Sequence, residues 1–111
     1  MQNNGFELRY LPLFYEELDH EVSYIAFILK NPQAAARLID DVEKAILKRL
    51  EDGPDSFEPV KTYRKRKDVY YRIYVRNYII YYVVLEENGR RIMEIRRFLH
   101  SREDRDKKVI K

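Results

Sequence analysis

The sequence contains no cysteine. That excludes disulfide frameworks, thiol nucleophiles and cysteine-based zinc sites together, and it suits a reducing cytoplasm. Glycine is scarce, occurring only at positions 5, 53 and 89. No glycine-rich loop is available to cradle a phosphate. A GxSxG elbow, a Walker loop, an HExxH helix and a dinucleotide fingerprint are all missing. Neither of the two histidines stands with carboxylates at ligand spacing, so no metal or other cofactor is expected. The longest unbroken apolar run, Tyr78 to Leu85, is far shorter than the ~20 residues of a membrane helix. The opening Met1-Gln2-Asn3-Asn4-Gly5 has neither the basic nor the apolar region of a secretory signal. The expectation is a soluble, cytoplasmic protein with no membrane partner.

What is present suits one domain spanning 1–111. The 111 residues are 45% hydrophobic, enough for a core, and 37% charged. The net charge is only +3, but it is unevenly spread. Residues 1–55 carry 6 Lys/Arg against 11 Asp/Glu, and residues 56–111 carry 16 against 8. A basic half of this kind suggests a polyanionic partner such as nucleic acid. The alternative is that the two halves pair with each other.

Phe6 to Tyr10 alternates apolar and polar residues, the period of a half-buried strand. Pro12 suits a first helical position, and Phe14, Leu18, Val22, Ile25 and Leu29 then trace one helical stripe. Asn31-Pro32 stops that helix and caps a second. Its stripe is Ala35, Leu38, Ile39, Val42, Ile46 and Leu50, and Gly53-Pro54 ends it. Residues 55–68 read as a basic loop. The period then changes to two: Tyr71, Ile73 and Val75 share one side, and Tyr70, Arg72, Tyr74 and Arg76 the other. Asn77 marks a tight turn, Tyr78 to Leu85 a central strand, Asn88-Gly89 a hairpin, and Arg91 to Leu99 a last strand with Met93, Ile95 and Leu99 in register. Residues 100–111 form a charged tail. The predicted fold is α+β: an N-terminal strand, an antiparallel helical hairpin, then a three-stranded antiparallel meander (β-α-α-β-β-β). The helices pack on one sheet face, and the other face is left open.

Two clusters could carry function. Residues 61–82 interleave Lys61, Arg64, Lys65, Arg66, Lys67, Arg72 and Arg76 with seven of the ten tyrosines, Tyr74 among them. Cations neutralise phosphates and planar rings stack on unpaired bases, which suits RNA. The competing reading is that tyrosine forms strands well and basic residues keep an edge soluble. The second cluster is Arg96, Arg97, His100 and Arg102. A histidine titrates near pH ~6.5 and can move protons. An arginine beside it can stabilise a phosphorane. A solvated histidine at a strand end is the alternative. His20 and the carboxylates Asp40, Asp41 and Glu43 read as helix surface.

The segment Tyr71-Arg72-Ile73-Tyr74-Val75-Arg76-Asn77-Tyr78-Ile79-Ile80-Tyr81-Tyr82-Val83-Val84 is followed by Ile95-Arg96-Arg97-Phe98-Leu99-His100-Ser101-Arg102-Glu103-Asp104. With Phe14-Tyr15-Glu16-Glu17-Leu18 and Tyr24-Ile25 upstream, this order resembles the RelE/ParE superfamily of toxins from type II toxin–antitoxin modules, across residues 6–104. The resemblance implies a cytoplasmic toxin of a plasmid-stabilisation type, neutralised by a cognate antitoxin protein. RelE-like members cut mRNA on the ribosome without a metal, whereas ParE-like members inhibit DNA gyrase without catalysis. Arg72 matches the first basic position of the nucleases, and Arg102 matches the one beyond the last strand. Tyr74, Ile79 and Lys108 stand where the nucleases carry two basic residues and a tyrosine. His100 matches a histidine used by some relatives, and Ser101 stands where ParE-like endings usually have glycine.

The first expectation is a ribosome-dependent endoribonuclease with Arg72, His100 and Arg102 catalytic. Lys61, Arg64, Lys65, Arg66, Lys67, Tyr74, Arg76, Arg96 and Arg97 would contact nucleic acid. The alternatives are a gyrase inhibitor or an inactive RNA-binding relative.

Overall fold

A computed structural model describes residues 5–61 and 68–102 of the chain. Strand β1 (Phe6–Tyr10) comes first. Leu11 N–H then donates to the Ile95 carbonyl at 2.9 Å, and Pro12 opens helix α1 (Pro12–Ser23). Proline is tolerated at that position because its missing N–H would have no intrahelical acceptor. The helix runs on into a π-helical turn, Tyr24–Ile28, in which Leu29 N–H bonds back to the Tyr24 carbonyl at 3.0 Å. Helix α2 (Pro32–Asp52) starts at the predicted cap, where Asn31 Oδ1 accepts from Ala34 N–H at 3.1 Å. It stops at Gly53, whose φ of 102° lies in the region open to glycine.

The helical stripes hold with two exceptions. Phe14 is buried, and Leu18, Val22 and Ile25 pack against the core, but Leu29 is exposed. The wider π-turn rotates the chain, so the i, i+4 spacing no longer returns Leu29 to the same face. On α2, Ala35, Leu38, Val42, Ile46 and Leu50 are buried and Ile39 is exposed. Ile39 follows Leu38 by about 100° around the axis, which takes it to the flank of the stripe.

Strands β2 (Tyr70–Val75), β3 (Tyr78–Glu87) and β4 (Arg90–His100) form the expected antiparallel meander. The β3–β4 turn uses Asn88 and Gly89, both at positive φ, as a twisted two-residue hairpin requires. In the β2–β3 turn the left-handed residue is Arg76, at φ 53°. Strand β1 pairs in parallel with β4, Phe6 opposite Arg91 through Tyr10 opposite Ile95. The result is a mixed four-stranded sheet in the order β1-β4-β3-β2. Both helices lie on one face of it, over Phe6, Tyr71, Ile73, Val75, Ile80, Tyr82, Met93, Ile95 and Phe98.

Two expectations about the sheet are corrected. The register of β3 and β4 shifts between Tyr81 and Tyr82, so Arg96 and Arg97 together oppose Tyr81. The extra residue reverses the alternation. Ile95 and Phe98 share the helix-covered face, and Leu99 turns to the other, so Leu99 is not in register with Met93 and Ile95. The second correction concerns the face expected to be open. Ile79, Tyr81 and Leu99 are buried there, packed with Val60 and Tyr70. That face carries a second, smaller apolar cluster.

Candidate functional site

The far face also carries a charge network. Glu94 is 5% exposed. It accepts from Arg9 at 3.1 Å and from Arg96 Nε at 2.8 Å. Arg96 also donates to the Tyr70 hydroxyl at 2.9 Å and pairs with Asp68 at 3.1 Å. Arg9 reaches Glu87 at 2.9 Å, which lowers the Glu87 carboxyl and raises the Arg9 guanidinium from their ordinary values. A buried carboxylate held between two guanidiniums is a satisfied structural group, and its removal would leave each arginine with fewer acceptors.

Ion pairs link the acidic and basic halves of the chain. Arg97 donates to Glu17 on α1 at 2.5 and 3.0 Å. Arg76 pairs with Asp41 on α2, Arg90 with Glu7 at 3.1 Å, and Arg91 with Asp55 at 3.8 Å. Much of the charge asymmetry therefore resolves inside the fold. Of the cations expected to meet nucleic acid, Arg76, Arg96 and Arg97 are engaged with carboxylates of this chain. Arg64, Lys65, Arg66 and Lys67 lie outside the described residues.

The expected catalytic residues are not all brought together: Arg102 lies beside His100, and Arg72 lies apart from both. Arg72 alternates with the buried Tyr71 and Ile73, and it pairs across to Tyr81 on the face away from the helices. His100 sits opposite Tyr78 at the end of β4, with its ring edge-on to that tyrosine at 5.4 Å. Tyr78 belongs to the helix-facing core and donates to Glu21 of α1 at 3.1 Å. Arg72 and His100 thus occupy opposite faces, two strands apart. Arg102 N–H donates to His100 Nδ1 at 3.1 Å, so that nitrogen is an acceptor. Arg102 itself is exposed.

Lys61, Arg72 and Tyr74 do converge. They line a groove of about 490 Å³ at the outer edge of β2, with Arg49, Phe57 and Val60 on its other side. Tyr74 is 61% exposed, and its hydroxyl accepts from Arg72 at 3.1 Å. Glu58 sets one carboxylate against the three cations.

Arg49 organises this edge. Its Nη1 donates to the Arg72 carbonyl at 3.0 Å and to the Tyr82 hydroxyl at 2.8 Å. Its guanidinium lies 3.6 Å from the centre of the Phe57 ring. Tyr82 passes its own proton to the Pro54 carbonyl at 2.7 Å, and burial pushes its hydroxyl up to about 12. The sequence reading missed Arg49 and Phe57. The available signal was a cation beside Leu50 and three residues after Ile46, at the border of the buried stripe of α2.

Among the described residues, no cluster of His, Asp and Glu is arranged to hold a metal, and no helix is long and apolar enough to cross a membrane. Taken with this fold, the comparison with protein families places the chain in the RelE/ParE superfamily of toxins. Within it, the model of the ParE toxin of type II toxin–antitoxin systems, parDE, matches residues 8–105, and the chain belongs to that family. A search of curated proteins finds no match to the chain. Membership implies an antitoxin partner.

Proposed function

We infer that this toxin arrests growth by binding its target rather than by cutting RNA, and that the target is DNA gyrase, as the ParE side of the resemblance implies. One observation carries this reading: Arg72 and His100 face away from each other across the sheet. General acid–base work and phosphate stabilisation have to meet at one phosphorus atom, within hydrogen-bond reach of it. Arg72 and His100, on opposite faces of a packed sheet, do not satisfy that requirement together, and Arg102 beside His100 is exposed. The acceptor role of His100 Nδ1 and the internal ion pairs of Arg76, Arg96 and Arg97 add support. Lys61, Arg72 and Tyr74 are then contact residues at the β2 edge, and the cytoplasm is where toxin, antitoxin and gyrase meet.

The experiment is tightly controlled expression, read for DNA-damage signalling and for the ends of cellular transcripts. Purified chain is assayed alongside on gyrase supercoiling. The expected result is inhibited supercoiling, a damage response and intact transcripts. His100→Ala should leave growth arrest unchanged. New transcript ends within codons, lost in His100→Ala or Arg72→Ala, would overturn the reading in favour of the nuclease.

A further inference from the structure

We propose that the exposed apolar turn at the end of α1 is an interface between two copies of this chain, which cross there antiparallel about a two-fold axis. The turn is where the helix departs from its own pattern. A regular helix would return Leu29 to the stripe of Phe14, Leu18, Val22 and Ile25. The π-helical turn Tyr24–Ile28 holds one residue more per cycle and turns Leu29 out instead. Asn31 N–H then closes the end on the Ile25 carbonyl at 3.0 Å, and Lys30 takes a left-handed φ of 54°, uncommon for a residue with a side chain. Phe27 is left 75% exposed and Ile28 67%, the two highest values among the large hydrophobic residues described. Leu29 and Tyr24 beside them are exposed as well. Single exposed apolar side chains are ordinary, but a run of this kind forms a patch.

Area and charge say what covers it. With aromatic side chains worth about 150–250 Å² each, the four at these exposures offer roughly 400 Å² per copy. Two copies with their polar rim come close to the ~1,200 Å² at which stable interfaces begin, so the expected dimer is weak and concentration-dependent. Exposed Glu16 and Asp19 precede the patch on α1, and exposed Lys30 follows it. Asp19 and Lys30 are in no ion pair among the described residues. Asp19 stands five residues before Tyr24, and Lys30 five residues after Ile25. An antiparallel crossing centred on Tyr24 and Ile25 therefore sets each Lys30 against the other copy's Asp19, with the apolar side chains between them. A surface that carries both signs in this order is complementary to itself. An anionic lipid surface fits less well, because Glu16 and Asp19 would be repelled by it.

The test is sedimentation of the whole chain across a concentration series. The mass is expected to rise from one chain towards two between about 10 μM and about 1 mM. Phe27→Ser should weaken the association at least about tenfold, with the circular dichroism of the folded chain retained because the side chain removed is exposed. Asp19→Lys and Lys30→Glu should each weaken it about fivefold. An equimolar mixture of those two variants should regain the original association, since the mixed pair again joins opposite charges at both ends. A single-chain mass at every concentration, association undiminished in Phe27→Ser, or a mixture no stronger than its parts would each overturn the proposal. So would a chain that stays single yet binds the antitoxin, or neutral phosphatidylcholine vesicles, and loses that binding in Phe27→Ser. The patch would then belong to another protein or to a lipid surface. None of these readouts involves gyrase, so the proposed mode of growth arrest is tested separately.

Discussion

The two sides of the sheet end in opposite ways. Where β1 stops, β4 continues past it, and α1 covers the stretch left uncovered. Glu17 accepts Phe98 N–H at 2.9 Å and the guanidinium of Arg97, while Leu11 N–H takes the Ile95 carbonyl. Backbone groups and charges are both matched there by the chain itself. At β2 the outward carbonyls are met by a lone loop N–H and by a guanidinium whose partners are neutral. The matched side is structural. On the other side, β2 is the edge strand of the sheet among the described residues.

Substitutions on each side test this contrast. The largest effect is expected at the closed side. Glu17→Ala strands Phe98 N–H and removes the carboxylate that the partly buried Arg97 donates to, and it should cost about 3 kcal/mol of unfolding free energy, read from urea melts. Next comes Tyr82→Phe beneath the open edge. It leaves Arg49 and the Pro54 carbonyl each short of a partner, at about 1–2 kcal/mol. The same variant carries a pH signature. The folded hydroxyl titrates at about 12 against 10.0 for an ordinary tyrosine. The unfolded chain therefore loses that proton first, and stability falls as pH rises from about 10 to about 12. Absorbance at alkaline pH should show the tyrosine step near 12 missing in Tyr82→Phe, and a variant that keeps the step would contradict the assignment. Tyr74→Pro, at the open edge itself, should cost no more than about 1 kcal/mol. The smallest effect is expected for Arg76→Ala. Its pair with Asp41 is exposed and worth only about 0.5 kcal/mol in thermal melts.

Local chemistry made most of the fold legible. Pro12, Asn31-Pro32, Gly53-Pro54 and Asn88-Gly89 act through their own backbone preferences, and each punctuates the structure where the sequence placed it. What escaped depends on distant partners. The parallel pairing of Phe6–Tyr10 with β4 joins residues at opposite ends of the chain. The bulge at Arg96 has no local marker, yet it sends Leu99 to the far face and Phe98 to the core. The basic half pointed to a polyanion because the sequence does not show which carboxylates fold against Arg76, Arg90, Arg91 and Arg97. At the site, Lys61, Arg72 and Tyr74 were found as parts of the basic, tyrosine-rich block 61–82. Arg49 was not, because its role exists only once α2 lies beside β2.

The backbone amides on the two sides give the most direct comparison. In the free chain, hydrogen exchange should find Phe98 N–H protected close to the level of the core strands, because Glu17 covers it. Tyr74 N–H should exchange far faster, because it points off the sheet. Equal, strong protection at both positions would mean that the β2 edge is already closed, and the contrast drawn between the two sides would be wrong.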